Sequence, residues 1–216
     1  MKRRDFIRNV AIASGSILLP SALSSFIIEQ KLHIVIIGDN DLVYMEEFCE
    51  QYLITSFTAI GWDEEHLDDF SLSNVKNIEF DFSSITINHT HPLDNYVIIP
   101  QRIKNVFKPK NHFLILCSLY RQEALLSKEI INWLDKKQID YWFFGTIPLL
   151  NPRIAPWAAK VFPKFNNNPK VMIYNTNLYL DKLRQENGDM LFSDAATKCD
   201  DRVHRELSNF YKSLDL

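Results

Sequence analysis

The sequence predicts an α/β fold: a three-layer, mostly parallel sheet with helices on both faces, of the Rossmann-like kind. The main observation is the stretch 112–148, which reads HFLILCSLYRQEALLSKEIINWLDKKQIDYWFFGTIP. It contains an apolar run, Phe113–Cys117, an amphipathic helix from about Arg121 to Lys137, and a second apolar run, Tyr141–Phe144. This order is typical of a β-α-β crossover between parallel strands. A second observation is KLHIVIIG at 31–38, a central strand that ends in glycine.

Composition and charge narrow the class of protein. The chain has 216 residues, of which 46% are hydrophobic and 24% charged, which favours one domain of moderate size. The first 24 residues carry a surplus of three positive charges, so the net charge of −3 leaves about −6 on the rest. An acidic body argues against a nucleic-acid partner, which requires a basic surface. Three distant cysteines, Cys49, Cys117 and Cys199, indicate buried thiols rather than disulfides or a zinc site.

The first 25 residues are predicted to be an export signal, followed by a single α/β domain over 26–216. A basic start, a short apolar core and then small residues are typical of secretory signals. Arg3 and Arg4, one variable residue and then Phe6 also resemble the twin-arginine consensus. We therefore expect the twin-arginine translocase as a partner and the periplasm or cell envelope as the location. An uncleaved signal would tether the domain to the membrane, and an unused one would leave the protein in the cytoplasm.

The remaining elements follow from hydrophobic spacing. A turn at 39–41 precedes a helix, and a short strand precedes an acidic stretch, Asp63–Phe70. An alternating run, Ile78–Ile87, predicts an edge strand or hairpin, with an extended run and a helical turn after it. The last helix has Ser193 as a possible N-cap. The predicted elements are helix Leu42–Leu53, strand Phe57–Gly61, extended run Tyr96–Pro100, helix Ile154–Val161, strand Val171–Tyr174, helix Thr176–Arg184 and helix Met190–Leu214. Together they give five or six strands and a long closing helix.

Two histidines offer the only candidate metal ligands with a simple geometry. On an extended backbone, His89 and His91 would point to the same face, as two ligands of one metal do. A third ligand would have to come from His66, His112 or Asp94. The alternative is an ordinary surface loop next to Pro92.

Several short strings resemble the nucleotide-binding domain of the tubulin and FtsZ family of GTPases. Gly145–Leu149 is similar to the family's strand that enters a Thr-x-Pro-Phe turn, and Met172–Asn175 is similar to a later strand end. Ala196–Val203 resembles the start of the family's central helix. The resemblance implies that the chain's counterparts of nucleotide-site residues are Gly38, Ser118, Arg153, Asn175 and Asp201. Arg153 would lie beside the ribose, and Asp201 would read the guanine base.

The departures from the family concern the phosphates. The family's glycine-rich loop should fall at Cys117–Gln122, which contains no glycine, and Gly38 is followed by Asp39 and Asp41. The resemblance with these departures implies a non-hydrolysing binding or scaffold domain, with a protein partner in the envelope. No cofactor is predicted, and GTP or GDP is a disfavoured ligand.

An exported hydrolase is the alternative, with a site near Asp39, Ser118 and Asn175 at the carboxyl ends of the strands. No Gly-x-Ser-x-Gly elbow surrounds Ser118, so no catalytic residue is assigned.

Overall fold

Six parallel strands form one sheet in the order β3-β2-β1-β4-β5-β6. The computed structural model describes residues 32–38, 48, 51–52, 54, 56–61, 75–91, 94–149, 154–162, 169–188 and 190–214. The strands are β1 Leu32–Ile37, β2 Phe57–Ile60, β3 Val75–Ile78, β4 His112–Ser118, β5 Tyr141–Ile147 and β6 Val171–Asn175. The helices whose bounds the structure describes are α1 Gln101–Lys104, α2 Arg121–Lys137, α3 Ile154–Val161, α4 Thr176–Glu186 and α5 Phe192–Ser213. The strand count and the parallel α/β class confirm the sequence prediction.

Side chains of the central strands alternate between two separate cores. Val35 and Ile37 of β1 face the core that α2 and α3 cover, together with Phe113 and Phe143. Ile34 and Ile36 face the opposite core, which receives apolar side chains of α5. Because successive strand residues point to opposite faces, a strand that is apolar throughout needs helices on both sides. The three-layer arrangement is therefore confirmed.

The strand order places a topological switch between β1 and β4. The first strand, β1, lies in the middle of the sheet. Strands β2 and β3 follow on one side of it, and β4, β5 and β6 follow on the other side. Crossovers on the two sides of such a switch leave in opposite directions, so a crevice forms at the carboxyl ends of the two central strands. A ligand site is expected at that edge of the sheet.

Helix α2 has the predicted bounds, Arg121–Lys137. Its apolar side chains Leu125, Ile130 and Leu134 are fully buried against the sheet. The helix ends at Gln138, which adopts the left-handed conformation with φ 54° and donates its N–H to carbonyls of the last turn. A periodic pattern over four turns is the clearest sequence signal of a helix, which explains the agreement.

The alternating run Ile78–Ile87 does not form the predicted edge strand or hairpin. The edge strand β3 lies earlier, at Val75–Ile78, and pairs in parallel with β2. The chain then leaves the sheet, because the Asp81 carboxylate accepts hydrogen bonds from Ser83 N at 2.9 Å and Ser83 Oγ at 2.6 Å. These bonds hold residues 82–84 in a 3₁₀ turn. Local side-chain bonds of this kind compete with a strand ladder.

The predicted N-cap at Ser193 is also wrong. Helix α5 begins at Phe192, its N-cap is Leu191, and no side chain caps it. Ser193 lies within the first turn, where its carbonyl accepts a hydrogen bond from Thr197 Oγ1 at 3.1 Å. The strong apolar spacing of Ala195, Cys199 and Val203 fixes where this helix packs, and the capping signal is secondary.

Other predictions are confirmed or fall outside the described residues. Cys117 and Cys199 are free, buried cysteines. Trp157 and Ala158 of α3 are buried as well. The run Tyr96–Pro100 is extended but joins no strand, and α1 follows it. Cys49, the acidic stretch at 63–70 and most of the helix predicted at 42–53 lie outside the described residues. No helix among those described is both long and apolar enough to cross a bilayer.

Candidate functional site

The strand ends at the carboxyl edge of the sheet bring three of the predicted site residues to one side of the molecule. Ile37 of β1 pairs with Cys117 of β4. The residues that follow them, Gly38 and Ser118, therefore lie one on each side of the switch point. Ser118 pairs with Thr146, and Ile147 pairs with Asn175. Gly38, Ser118 and Asn175 therefore lie along the same edge of the sheet. Arg153 and the export-signal residues Arg3, Arg4 and Phe6 lie outside the described residues.

Gly38 adopts a backbone conformation that favours glycine. Its φ is +82°, and its N–H donates to the Ile60 carbonyl at 3.0 Å. A methyl group at this position would come within 2.9 Å of Glu123 Cγ. Both the left-handed conformation and the close neighbour therefore require a residue without a side chain.

Glu123 occupies the crevice between the ends of β1 and β4. It lies in the first turn of α2, its side chain contacts Gly38, and it is only 9% exposed. Its position in the first turn places a carboxylate near the positive end of the helix dipole, where an anion is stabilised. In a nucleotide-binding Rossmann-like fold, the same place near a helix N-terminus receives phosphate. Here the Glu123 side chain lies beside that place, next to Gly38.

The Cys117 thiol is buried close enough to Glu123 for the carboxylate to affect its pKa. Burial raises its pKa well above the ordinary value, and the charge of Glu123 raises it further. The thiol therefore stays protonated and donates weakly to the Ser118 carbonyl at 3.4 Å. A protonated, buried thiol next to a carboxylate is not a nucleophile.

Ser118 is buried at the end of β4. Its Oγ accepts a hydrogen bond from Thr146 Oγ1 at 3.4 Å, and the next residue, Leu119, donates its N–H to the Thr146 carbonyl at 2.7 Å. An activated serine needs a hydrogen bond to a base such as histidine. Among the described contacts the partner of this hydroxyl is another hydroxyl, so the geometry gives the hydrolase alternative no support.

Asn175 caps helix α4 and ties it to the loop after β5. Its Oδ1 accepts from Asn177 N at 3.1 Å and from Asn177 Nδ2 at 3.3 Å. Asn177 Nδ2 also donates to the Pro148 carbonyl at 2.9 Å, and Thr176 Oγ1 donates to the Ile147 carbonyl. These bonds give the amide of Asn175 a structural role at the edge of the site.

A cavity of about 200 Å³ lies beside these strand ends. Asp200 of α5 contributes to its wall, whereas Asp201, the predicted base-reading residue, is exposed to solvent. A helix turns by about 100° per residue, and since Cys199 and Val203 face the interior, Asp200 lies next to that face and Asp201 turns away. The residues lining the cavity are Tyr120, Thr146, Pro148, Leu149, Thr176, Asp200 and Val203.

Helix α5 is held at the cavity by a cationic side chain. Arg202 forms an ion pair with Glu206 and lies 5.8 Å from the centre of the Tyr179 ring. Burial raises the pKa of the Tyr174 hydroxyl, and a hydrogen bond from Arg202 partly opposes that effect. Arg202 thereby links α5 to both β6 and α4.

The two histidines of the metal hypothesis lie on a turn rather than on an extended backbone. Asn88 Oδ1 accepts hydrogen bonds from Thr90 N at 3.0 Å and His91 N at 3.1 Å, which bends the chain. The His89 Nδ1 atom lies 3.0 Å from Arg121 Nη1, so a permanently charged guanidinium occupies one side of the ring.

The proposed third ligands do not complete the set. His112 begins β4 and therefore lies at the opposite edge of the sheet from Arg121, where its ring packs 5.4 Å from that of Trp142. His66 lies outside the described residues. Within the described part of the chain, no group of three or more His, Cys, Asp or Glu side chains could hold a metal ion.

Sequence reasoning did not identify Glu123 or Asp200. The available signal for Glu123 was an acidic residue in the first turn of a helix that follows a strand without an intervening glycine. The signal for Asp200 was its position next to Cys199 in the apolar spacing of the last helix. In both cases the decisive property is which way the side chain faces.

Comparison with known proteins supports the fold and leaves the family open. No protein-family model matches the chain, and no curated protein sequence matches it. Among solved structures, the chain is similar to CetZ1 from Haloferax volcanii in its GDP-bound monomer, a member of the tubulin/FtsZ family, with a TM-score of 0.54 and 13% identity. The match covers 86% of this chain and 62% of that protein, so the chain spans less than two thirds of its length. The chain thus has a Rossmann-like α/β fold of the tubulin/FtsZ type.

Proposed function

We propose that this protein is a non-hydrolysing binding or scaffold domain of tubulin/FtsZ-like fold, exported to the cell envelope or tethered there. The observation that carries the proposal is the position of Glu123. Its side chain lies at the switch point, next to Gly38 and near Cys117, where a phosphate-binding protein of this fold class would present free backbone amides.

Electrostatics supports the exclusion of nucleotide phosphates. One unit of phosphate charge held about 4 Å from a carboxylate costs about 4 kcal/mol at an effective dielectric constant of 20. A triphosphate carries several such charges, and no glycine lies in 117–122 to bring compensating amides close. Phosphoryl transfer depends on donors placed on the phosphates, and the described part of this edge lacks such machinery for hydrolysis.

The small cavity beside α5 can still admit part of a ligand. Its wall combines an aromatic ring, two threonine hydroxyls and the Asp200 carboxylate. Asp200 also contributes to raising the pKa of the neighbouring Cys199 thiol, although burial is the larger cause. An acidic wall favours neutral or cationic groups over phosphate. Binding without chemistry is therefore the activity that this edge supports.

Calorimetric titration of the protein with GTP and with GDP, each with Mg²⁺, tests the nucleotide part of the proposal. We expect no saturable heat up to about 1 mM nucleotide, and no release of phosphate. A dissociation constant in the micromolar range with turnover would contradict it. Thermal unfolding provides a second reading, since a ligand at about 100 times its dissociation constant stabilises the folded state by about 2.7 kcal/mol.

Export is tested separately with the arginine pair. In a bacterial host that has a twin-arginine translocase, we expect the protein in the envelope fraction. Replacing both Arg3 and Arg4 with lysine should leave it in the cytoplasm, whereas Arg8→Lys, outside the pair, should not. Equal export of the double variant, or cytoplasmic retention of the unaltered chain, would overturn the proposed export. It would leave the proposal about nucleotide binding unaffected.

A further inference from the structure

The segment 94–100, between the turn at 88–91 and helix α1, exposes apolar side chains in an alternating pattern. Tyr96 is 73% exposed and Ile98 is 79% exposed, while Ile99 is buried. Residues 95–100 belong to no helix or strand and pair with no described strand. Two large apolar side chains that point outward from one extended segment form a contiguous surface, unlike singly scattered ones.

Firm anchors hold this segment in place. Asn95 is buried, its Oδ1 accepts from Asn88 N at 2.6 Å, and its Nδ2 donates to the Asn88 carbonyl at 3.1 Å. Lys128 of α2 donates to the Asn95 carbonyl at 3.1 Å. At the other end, Ile103 of α1 is fully buried. Tyr96 and Ile98 are therefore presented on a backbone fixed at both ends.

The main chain and an adjacent groove are both open to a partner. The backbone hydrogen bonds among the described residues do not include the N–H groups of Tyr96–Ile99. Beside them lies a groove of about 650 Å³, whose apolar lining comes from Phe80 and Ile85 together with Tyr96, Val97 and Ile98. A segment outside the sheet, whose N–H groups bond to no described backbone group and which borders an apolar groove, is suited to pairing with a second such segment.

The charges on the groove fit a second copy of the same segment. Asp94 and Arg102 both line the groove, one on each side of the apolar pair. A two-fold axis reverses the direction of the partner segment, so the Asp94 end of one copy meets the Arg102 end of the other. The third charged residue, Asp81, already accepts hydrogen bonds from Ser83. A self-complementary pattern favours an identical partner over one of uniform charge.

We infer that this chain forms a two-fold symmetric dimer in which the 94–100 segments pair antiparallel, with Tyr96 and Ile98 of each copy packed into the groove of the other. Two short segments bury a small area, and interfaces below about 1,200 Å² are typically weak. The dimer therefore forms in a concentration-dependent manner.

Sedimentation velocity of the full chain over a series of concentrations up to about 1 mM tests the inference, because a dimer of millimolar affinity is still populated there. We expect a monomer–dimer equilibrium. Ile98→Asp places like charges close together across the axis and should weaken the dimer at least about tenfold. Leu178→Asp, at a residue of α4 that is 69% exposed, is the matched control and should leave the equilibrium unchanged.

Charge exchange tests the two-fold arrangement itself. Asp94→Arg and Arg102→Asp should each weaken the dimer, and the double variant should restore it, because the unlike charges meet again. Thermal unfolding checks that each variant is folded. A monomer at every concentration would show that the groove serves another molecule or none, and would overturn the inference. A dimer insensitive to Ile98→Asp, or a double variant that stays weakened, would overturn it as well.

Discussion

Glu123 and Gly38 are the two residues on which the closed crevice depends. The glycine adopts φ +82° at the end of β1, and the buried side chain of Glu123 lies against it from the first turn of α2. The contact requires glycine at position 38, because any side chain there would displace Glu123. The contact therefore connects the conformation of Gly38 with the proposed exclusion of nucleotide phosphates.

Gly38→Ala should lower the free energy of unfolding by about 2 kcal/mol, since it adds a left-handed penalty and a close contact with Glu123 Cγ. Gly188→Ala is the matched control, because a methyl group there would meet no atom within 4 Å. Urea unfolding measures both. Equal stability of the two variants would show that Gly38 is not constrained in this way.

His33 gives the fold a dependence on pH. Its Nδ1 lies 2.6 Å from Ser56 Oγ and its Nε2 lies 2.9 Å from Thr58 Oγ1. Burial lowers the pKa of the imidazole, and the charge of Lys76 lowers it further. Below about pH 6.5 the unfolded chain therefore takes up a proton before the folded one does, so stability is lost as the pH falls through the folded pKa.

Urea unfolding at pH values between about 7.5 and 5 checks this effect. The free energy of unfolding should decline across the interval in the unaltered chain, and the decline should be smaller in His33→Gln. The pKa values of Asp81 and Asp140 are lowered, so these carboxyls titrate in a more acidic range and do not contribute to the decline between about pH 7.5 and 5. Identical pH profiles for the two proteins would rule out His33 as the titrating group.

At the scale of elements, apolar spacing was a better guide than polar signals. The bounds of α2 were predicted because its apolar side chains recur over four turns. The run 78–87 was misassigned because hydrogen bonds between Asp81 and Ser83 outweigh its alternation. The position of Asp200 at the cavity could not be predicted, since a shift of one residue moves a helical side chain by about 100°.

The start of helix α5 offers a test at this scale. Leu191 is its N-cap, is largely exposed and provides no capping oxygen. Leu191→Asp should therefore raise the free energy of unfolding by about 1 kcal/mol through a side-chain cap and the helix dipole. Ser193→Ala should change it by less than about 0.5 kcal/mol, because Ser193 lies inside the helix. Urea unfolding of both variants decides the point, and a larger loss from Ser193→Ala would place the cap there instead.

At the scale of the whole molecule, the parallel sheet and its two helical layers could be predicted, but the state of the site could not. Strands such as Phe113–Cys117 are apolar on both faces, which requires cover on both sides. The lack of glycine at 117–122 indicated that phosphate donors are missing. That Glu123 fills the vacated crevice follows only from how α2 docks on β1 and β4, which no local pattern in the sequence specifies.

A titration of ¹⁵N-labelled protein with GTP and Mg²⁺, followed by the amide resonances of Gly38, Ser118 and Glu123, tests the closed crevice most directly. These resonances should stay unchanged up to about 1 mM nucleotide, because the Glu123 carboxylate repels phosphate from the switch point. Saturable shifts at Gly38 and Glu123 would mean that a phosphate reaches the crevice, and would contradict the proposed exclusion of nucleotide.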